Sequence, residues 1–135
     1  MPSTGYLLDT NILSALLVHP AGQVAERIAQ VGEDAIGTSI IVACELRFGA
    51  AKKRSARLAD RIEEMLARLD VLPLAGEVDR RYAKLRWQLE RRGTPIGPND
   101  MLIAAHALAL RRTLVTDNVR EFRRVAGLAV ENWLA

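Results

Sequence analysis

The chain has 135 residues, half of them hydrophobic and 4% aromatic, and 19 Lys and Arg against 16 Asp and Glu leave a net charge of +3. That length accommodates one domain, residues 1–135, with a real core, and the composition excludes a disordered chain. The single cysteine, Cys44, excludes an intrachain disulfide framework or a thiolate metal site, and no apolar run is long enough to cross a bilayer.

Residues 1–9 lack the basic and apolar stretches of a secretory signal, so the cytoplasm is the expected compartment. The modest basic excess permits a polyanionic partner without demanding one. In chain order, Tyr6-Leu7-Leu8 reads as a buried strand, followed at once by Asp9-Thr10-Asn11 and a helix to residue 17. A short helix over 23–29 and a strand over 35–38 come next. Ser39 then stands where an N-cap belongs, before a helix over 40–53. Residues 57–69 form an amphipathic helix, and 71–74 a short strand with an edge-type proline, Pro73. A long helix over 76–92 leads into the rigid loop Gly93-Thr94-Pro95-Ile96-Gly97-Pro98. The helix over 99–110 is apolar nearly all round and therefore buried. A strand over 114–116, a helix over 119–125 and a strand over 128–130 complete the chain. Strands alternating with helices predict a doubly wound α/β fold, a three-layer α/β/α sandwich around a central parallel sheet.

The acids carry the chemistry. Asp9 follows the first strand, Asp117 follows the Leu-Val-Thr strand, and Asp100 lies in the first turn of the buried helix. In an open parallel sheet such positions converge on the crevice at the carboxyl ends of the strands. Glu45 shares a predicted helix face with Ile41, Cys44 and Phe48, and no Lys or Arg joins that stripe before Lys52. A glutamate buried there needs compensation, as does Asp100 beside Ile103, Ala104 and Ala107. Crowded carboxylates take up protons unless a cation sits among them. Oxygen-only ligands favour Mg²⁺, with Mn²⁺ as a substitute, and an incomplete cage leaves room for water and phosphate oxygens, the requirements of phosphodiester hydrolysis. Taken singly, Asp9 reads equally as a helix cap, Asp100 as a first-turn acid favoured by the dipole, and Asp117-Asn118 as a turn. A cap does not account for Glu45.

At these residues the chain resembles the PIN-domain ribonucleases, and within them the VapC toxins of bacterial toxin–antitoxin pairs. The segments that carry the likeness are Leu8-Asp9-Thr10-Asn11, Ser39 through Glu45-Leu46 to Gly49-Ala50, and the loop 93–99 with Asp100 and Ile103-Ala104-Ala105-His106-Ala107. Leu114-Val115-Thr116-Asp117-Asn118 with Glu121-Phe122, and the tail through Trp133, complete it in the expected order. The resemblance implies an endoribonuclease with Mg²⁺ held chiefly by Asp9 and Asp100 and the acidic site completed by Glu45. It also implies a homodimer, an inhibiting VapB-like antitoxin, and an RNA substrate, with a loop like that of the initiator-tRNA-cleaving subgroup. The family's fourth acid, in a Thr-x-Asp arrangement, aligns with Asn118, an amide that supplies no charge, while Asp117 precedes it.

Trp87 falls on the side of its helix opposite Val78, Tyr82, Leu85 and Leu89, beside Arg80, Lys84 and Arg91. It either stacks a base while the cations meet phosphates, or packs into a dimer or antitoxin interface. His106 lies on the face away from Asp100 and reads as a packing residue, and the Lys52-Lys53-Arg54 run as a solvated helix end. Two other functions compete with the nuclease. A receiver-like phosphoacceptor module needs an aspartate after the third strand, where this chain has Pro73, Leu74 and Ala75. A PIN-like domain that only binds RNA or a partner has no need of an intact Asp9, Glu45 and Asp100.

Overall fold

The computed structural model describes residues 5–134, so the expectation drawn from the first four residues lies outside the described residues. A five-stranded sheet runs in the order β3-β2-β1-β4-β5, with every pairing parallel. Its strands are β1 (Tyr6–Leu8), β2 (Ile36–Ser39), β3 (Asp70–Leu72), β4 (Thr113–Val115) and β5 (Val130–Glu131). The helices are α1 (Thr10–Val18), α2 (Gln23–Val31), α3 (Ile40–Lys53), α4 (Ala56–Ala67), α5 (Val78–Arg92), α6 (Pro98–Leu110) and α7 (Val119–Phe122). The expected α/β sandwich with a parallel sheet is the observed fold.

Central β1 is buried because both neighbours and both helical layers cover it: Leu7 and Leu8 are wholly inaccessible, as are Leu114 and Val115 of β4. Successive strands move from β1 toward one edge and then, at β4, to the other side of β1. That reversal opens the crevice between the carboxyl ends of β1 and β4. α6 carries Met101, Ile103, Ala104, Ala105, His106 and Ala107 into the core, as its all-round apolar sequence predicts. Proline opens this helix, where its missing N–H costs nothing. α5 ends at Gly93, whose φ of 67° is the left-handed conformation that glycine adopts without penalty.

Several element boundaries differ from the sequence reading, most plainly at β3, α7 and β5. β3 stops at Leu72, because Pro73 has no N–H for the ladder, and β3 is indeed an edge strand. α7 is a single turn ending at Phe122. The last strand lies at Val130–Glu131 rather than 128–130, since its register is set by pairing of Leu114 with Val130 and Val115 with Glu131.

Ser39 caps α3 as expected, its Oγ accepting from the Ile41 N–H at 3.1 Å. The same Oγ shares a 2.8 Å hydrogen bond with Nδ1 of His106, which is fully buried. Burial pushes the His106 pKa down, so the ring is a neutral tie between α6 and the start of α3, away from the acids. Ser39→Ala should destabilise the protein by about 1–3 kcal/mol through loss of a cap and of a buried partner. His106→Ala should cost at least as much, and in urea unfolding the double variant should cost less than the two single costs added, because they share one bond.

Candidate active site

Asp9 sits where β1 becomes α1 and serves two purposes. One carboxylate oxygen caps α1, accepting from the Thr10 N–H at 2.8 Å, and the other accepts from the Thr116 hydroxyl at 2.8 Å. The cap reading and the site reading are therefore both true of this residue. Its backbone N–H donates to the Val115 carbonyl at 2.9 Å, locking the ends of β1 and β4 together beneath the carboxylate. Asp9 is buried, and desolvation raises its pKa against the lowering effect of the two hydrogen bonds, with Asp117 adding a smaller upward push.

Glu45 corrects one expectation. It is half-buried, not sunk in an apolar stripe: Cys44 is exposed, Phe48 is 67% exposed, and the core face of α3 is Val42, Ala43, Leu46 and Ala50. The stripe of Ile41, Cys44, Glu45 and Phe48 turns toward solvent because apolar residues occupy both sides of this helix, and periodicity alone does not say which side meets the sheet. Glu45 nonetheless reaches the crevice, where its Oε1 accepts from the Thr10 hydroxyl at 3.0 Å. Partial desolvation raises its pKa, the Thr10 bond lowers it, and the Asp9 charge raises it again.

Asp100, in the first turn of α6, accepts no hydrogen bond from any described residue. Burial pushes its pKa up to about 6, and the charges of Asp9, Glu45 and Glu121 push in the same direction. The charges of Asp9, Glu45 and Glu121 act on Asp100 and that of Asp117 acts on Asp9, so four acids, Asp9, Glu45, Asp100 and Glu121, adjoin one another with Asp117 at their margin. Among the described residues, no Lys or Arg forms an ion pair with any of the four.

Asp117, Asn118 and Glu121 all lie around the fourth corner. Asp117 is exposed and accepts from the Asn11 amide at 2.9 Å, at the margin of the crevice. Asn118 starts α7, and its amide donates to Glu121 at 2.9 Å. Glu121, one turn further on, is the acid whose charge reaches Asp100. The Asn118-to-Glu121 spacing is that of a capping box, which is why the glutamate is readily taken for a helix-start signal. Here the bond runs between the two side chains, so Asn118 orients the acid. Thr10, Asn11 and Thr116 also went unread: each is a neutral donor to one acid, and Thr116 additionally accepts the Asn118 N–H at 3.0 Å.

The donor set fits a hard divalent cation. It is made of carboxylates, with no histidine or thiolate, and among the described residues no cation pairs with it. Among the described residues no three potential ligands close into a ready cage, so the cluster is open. Mg²⁺ commonly binds through one or two carboxylates while retaining water, and an open cluster suits that habit. Asp9, Asp100, Glu45 and Glu121 are the residues available to hold it.

Carboxylates gathered without cations at the crevice of a parallel sheet define a class of metal-dependent hydrolases of phosphate esters. The chain belongs to the PIN domain family, whose pattern matches residues 6–128. Nucleases of that family generally depend on a divalent metal. The chain is 38% identical over 130 residues to Ribonuclease VapC2 of Rickettsia felis, covering 95% of this chain and 97% of that one. It is 35% identical over 129 residues to the tRNA(fMet)-specific endonuclease VapC of Shigella flexneri, again covering 95% and 97%. Among solved structures, that of VapBC2 from Rickettsia felis bound to a promoter DNA fragment superposes with a TM-score of 0.89 at 35% identity, over 95% of this chain and 98% of that chain. VapBC-1 from nontypeable Haemophilus influenzae superposes with a TM-score of 0.86 at 35% identity, over 96% and 98%.

The raised pKa values fix the sign of the pH dependence. Folded Asp9, Glu45 and Asp100 bind protons more tightly than they do in the unfolded chain, so their contribution to stability is complete below the unfolded values and is lost as pH rises through the folded ones. In EDTA the melting temperature should therefore rise as pH falls from about 7.5 to about 5. Asp100→Asn should raise the melting temperature at the upper pH by roughly 2–4 °C and flatten this dependence. Added Mg²⁺ should stabilise the unsubstituted protein, and Asp100→Asn much less.

Proposed function

We propose that this protein is the toxin of a toxin–antitoxin pair, a metal-dependent endoribonuclease that hydrolyses RNA phosphodiester bonds with Asp9, Asp100, Glu45 and Glu121 as its acidic site. The observation that carries the reading is the gathering of carboxylates at the β1–β4 crevice with, among the described residues, no ion-pairing Lys or Arg. Mg²⁺ is the working metal and Mn²⁺ its substitute; when bound, such a cation stabilises charge on the scissile phosphate and promotes ionisation of an attacking water.

The chain's own groups prepare for that. The Thr10 N–H and the Thr116 hydroxyl hold both oxygens of Asp9 in place, so little side-chain freedom remains to be lost when a ligand arrives. Thr10 orients Glu45 and Asn118 orients Glu121. Asp100, which has no donor among the described residues, is the acid whose ionisation depends most on incoming positive charge. Asp117 and Asn118 act at the margin, Asp117 against Asn11 and Asn118 through Glu121.

The names of the relatives support RNA, and specifically tRNA, as the substrate, and the VapBC complexes support a VapB-like antitoxin as the partner. A cavity of about 430 Å³ between α1, α2 and α4, lined in part by Leu16, Leu17, Ile28, Met65 and Leu69, offers apolar surface for that partner away from the acids. The exposed Phe48 on α3 supports self-association as a homodimer. Among the described residues no helix is long and apolar enough to cross a membrane, and the cytoplasm is the compartment that the reading requires.

Purified protein should cleave total tRNA in Mg²⁺ or Mn²⁺ and not in EDTA. Asp9→Ala and Asp100→Ala should each reduce the rate roughly 100-fold or more, and Glu121→Gln should lower it where Asp117→Asn leaves most of it. Metal-independent cleavage, or full activity in Asp9→Ala, would overturn the mechanism. Growth arrest on expression, relieved by co-expression of the neighbouring small gene, tests the toxin role.

A further inference from the structure

The outward face of α5 has no part in the acidic site. Arg80, Lys84, Trp87 and Arg91 recur at helical spacing, opposite the buried Val78, Leu85 and Leu89. Trp87 is 58% exposed, whereas the chain's other tryptophan, Trp133, is 3% exposed and packed against Tyr6. An indole left in water is unusual unless it has something to meet.

The charge on this face is one-sided. Two other arginines of α5 are already balanced, Arg81 by Glu77 at 3.7 Å and Arg86 by Glu90 at 3.2 Å. Among the described residues, Arg80, Lys84, Arg91 and Arg92 have no carboxylate partner. The Arg91 guanidinium lies 4.6 Å from the centre of the Trp87 ring, and Trp87, Gln88, Arg91 and Arg92 line a shallow recess of about 320 Å³. The row from Arg80 to Arg91 is about 16 Å long. Its carboxyl end meets the loop 93–97, which turns directly into α6 and Asp100.

A second copy of the chain fits this face poorly, since a two-fold contact would set cations against cations. A protein interface would also bury Lys84 among these cations, and lysine is depleted at such interfaces. A single-stranded polyanion with flat bases satisfies both features at once. We infer that the outward face of α5 is a track for single-stranded RNA leading to the acidic crevice, with Trp87 stacking a base and Arg80, Lys84 and Arg91 meeting phosphates. The inference rests on the nuclease reading for its direction toward Asp100.

The test is binding of an oligouridylate of about twelve nucleotides, followed by Trp fluorescence and by mobility shift, in EDTA so that nothing is cut. The oligomer should quench the exposed indole and shield it from acrylamide. Trp87→Ala should weaken binding about fivefold to a hundredfold, and Trp87→Phe, which keeps an aromatic face, by no more than about threefold. Lys84→Gln should lower the slope of log affinity against log salt by about 0.7. Binding unchanged in Trp87→Ala would overturn the proposal, as would heparin quenching the indole as strongly as RNA. A changed oligomeric state in Trp87→Ala with intact RNA binding would also overturn it and assign the face to a protein. Cleavage of tRNA in Mg²⁺ separates the two readings. Cleavage with Trp87-independent binding sinks only the track, and Trp87-dependent binding without cleavage sinks only the nuclease.

Discussion

Burial of carboxylates that no cation neutralises is the constraint on which the rest of this fold depends. Asp9, Glu45 and Asp100 come to one crevice from three different parts of the chain, and desolvation, with a smaller push from neighbouring charge that includes Asp117 and Glu121, raises the pKa of each. Folding works against that desolvation, so the surrounding structure must hold the acids in place with groups that do not neutralise them. It does so with hydroxyls and amides. Thr10, Thr116 and Asn118 each donate to an acid without supplying charge, leaving the crevice negative and ready for a divalent cation.

The rest of the architecture serves that placement. The strand order puts β1 and β4 side by side at the point where the connections reverse direction, and Asp9 and Thr116 follow those two strands. The buried pair of Ser39 and His106 links the start of α3, which carries Glu45, to the middle of α6, which carries Asp100. Two of the acids therefore rest on helices joined to each other through the core and not only through the sheet. α5 packs against α6, the helix that carries Asp100, and among the described residues none of its cations ion-pairs with the clustered acids. Phosphates attracted to the basic face of α5 are drawn toward the protein without its cations lying among the acids, where they would displace the metal.

Much of the site was open to reading along the chain because it rests on local rules. Asp9 and Asp100 stand at a strand end and in a helix first turn, positions that recur in sequence patterns, and Ser39 was recognisable as a cap. Glu45 was found for a reason that proved mistaken. Its neighbours Cys44 and Phe48 are apolar but face solvent, and the glutamate reaches the crevice from a half-buried edge of α3. Glu121 was passed over because its spacing from Asn118 has an ordinary local explanation, whereas its reach to Asp100 depends on how α7 packs against β5.

The sequence by itself determined the alternation of strands and helices, the parallel sheet, the family likeness, and the identity of three of the four clustered acids. Those properties follow from periodicity, capping and motif order, all of which act over a few residues. Only the tertiary structure decided which face of α3 meets the sheet and where Asp117, Asn118 and Glu121 lie around the crevice. Each of these depends on contacts between segments far apart in the chain, and side-chain spacing within one element carries no information about the neighbour it will meet.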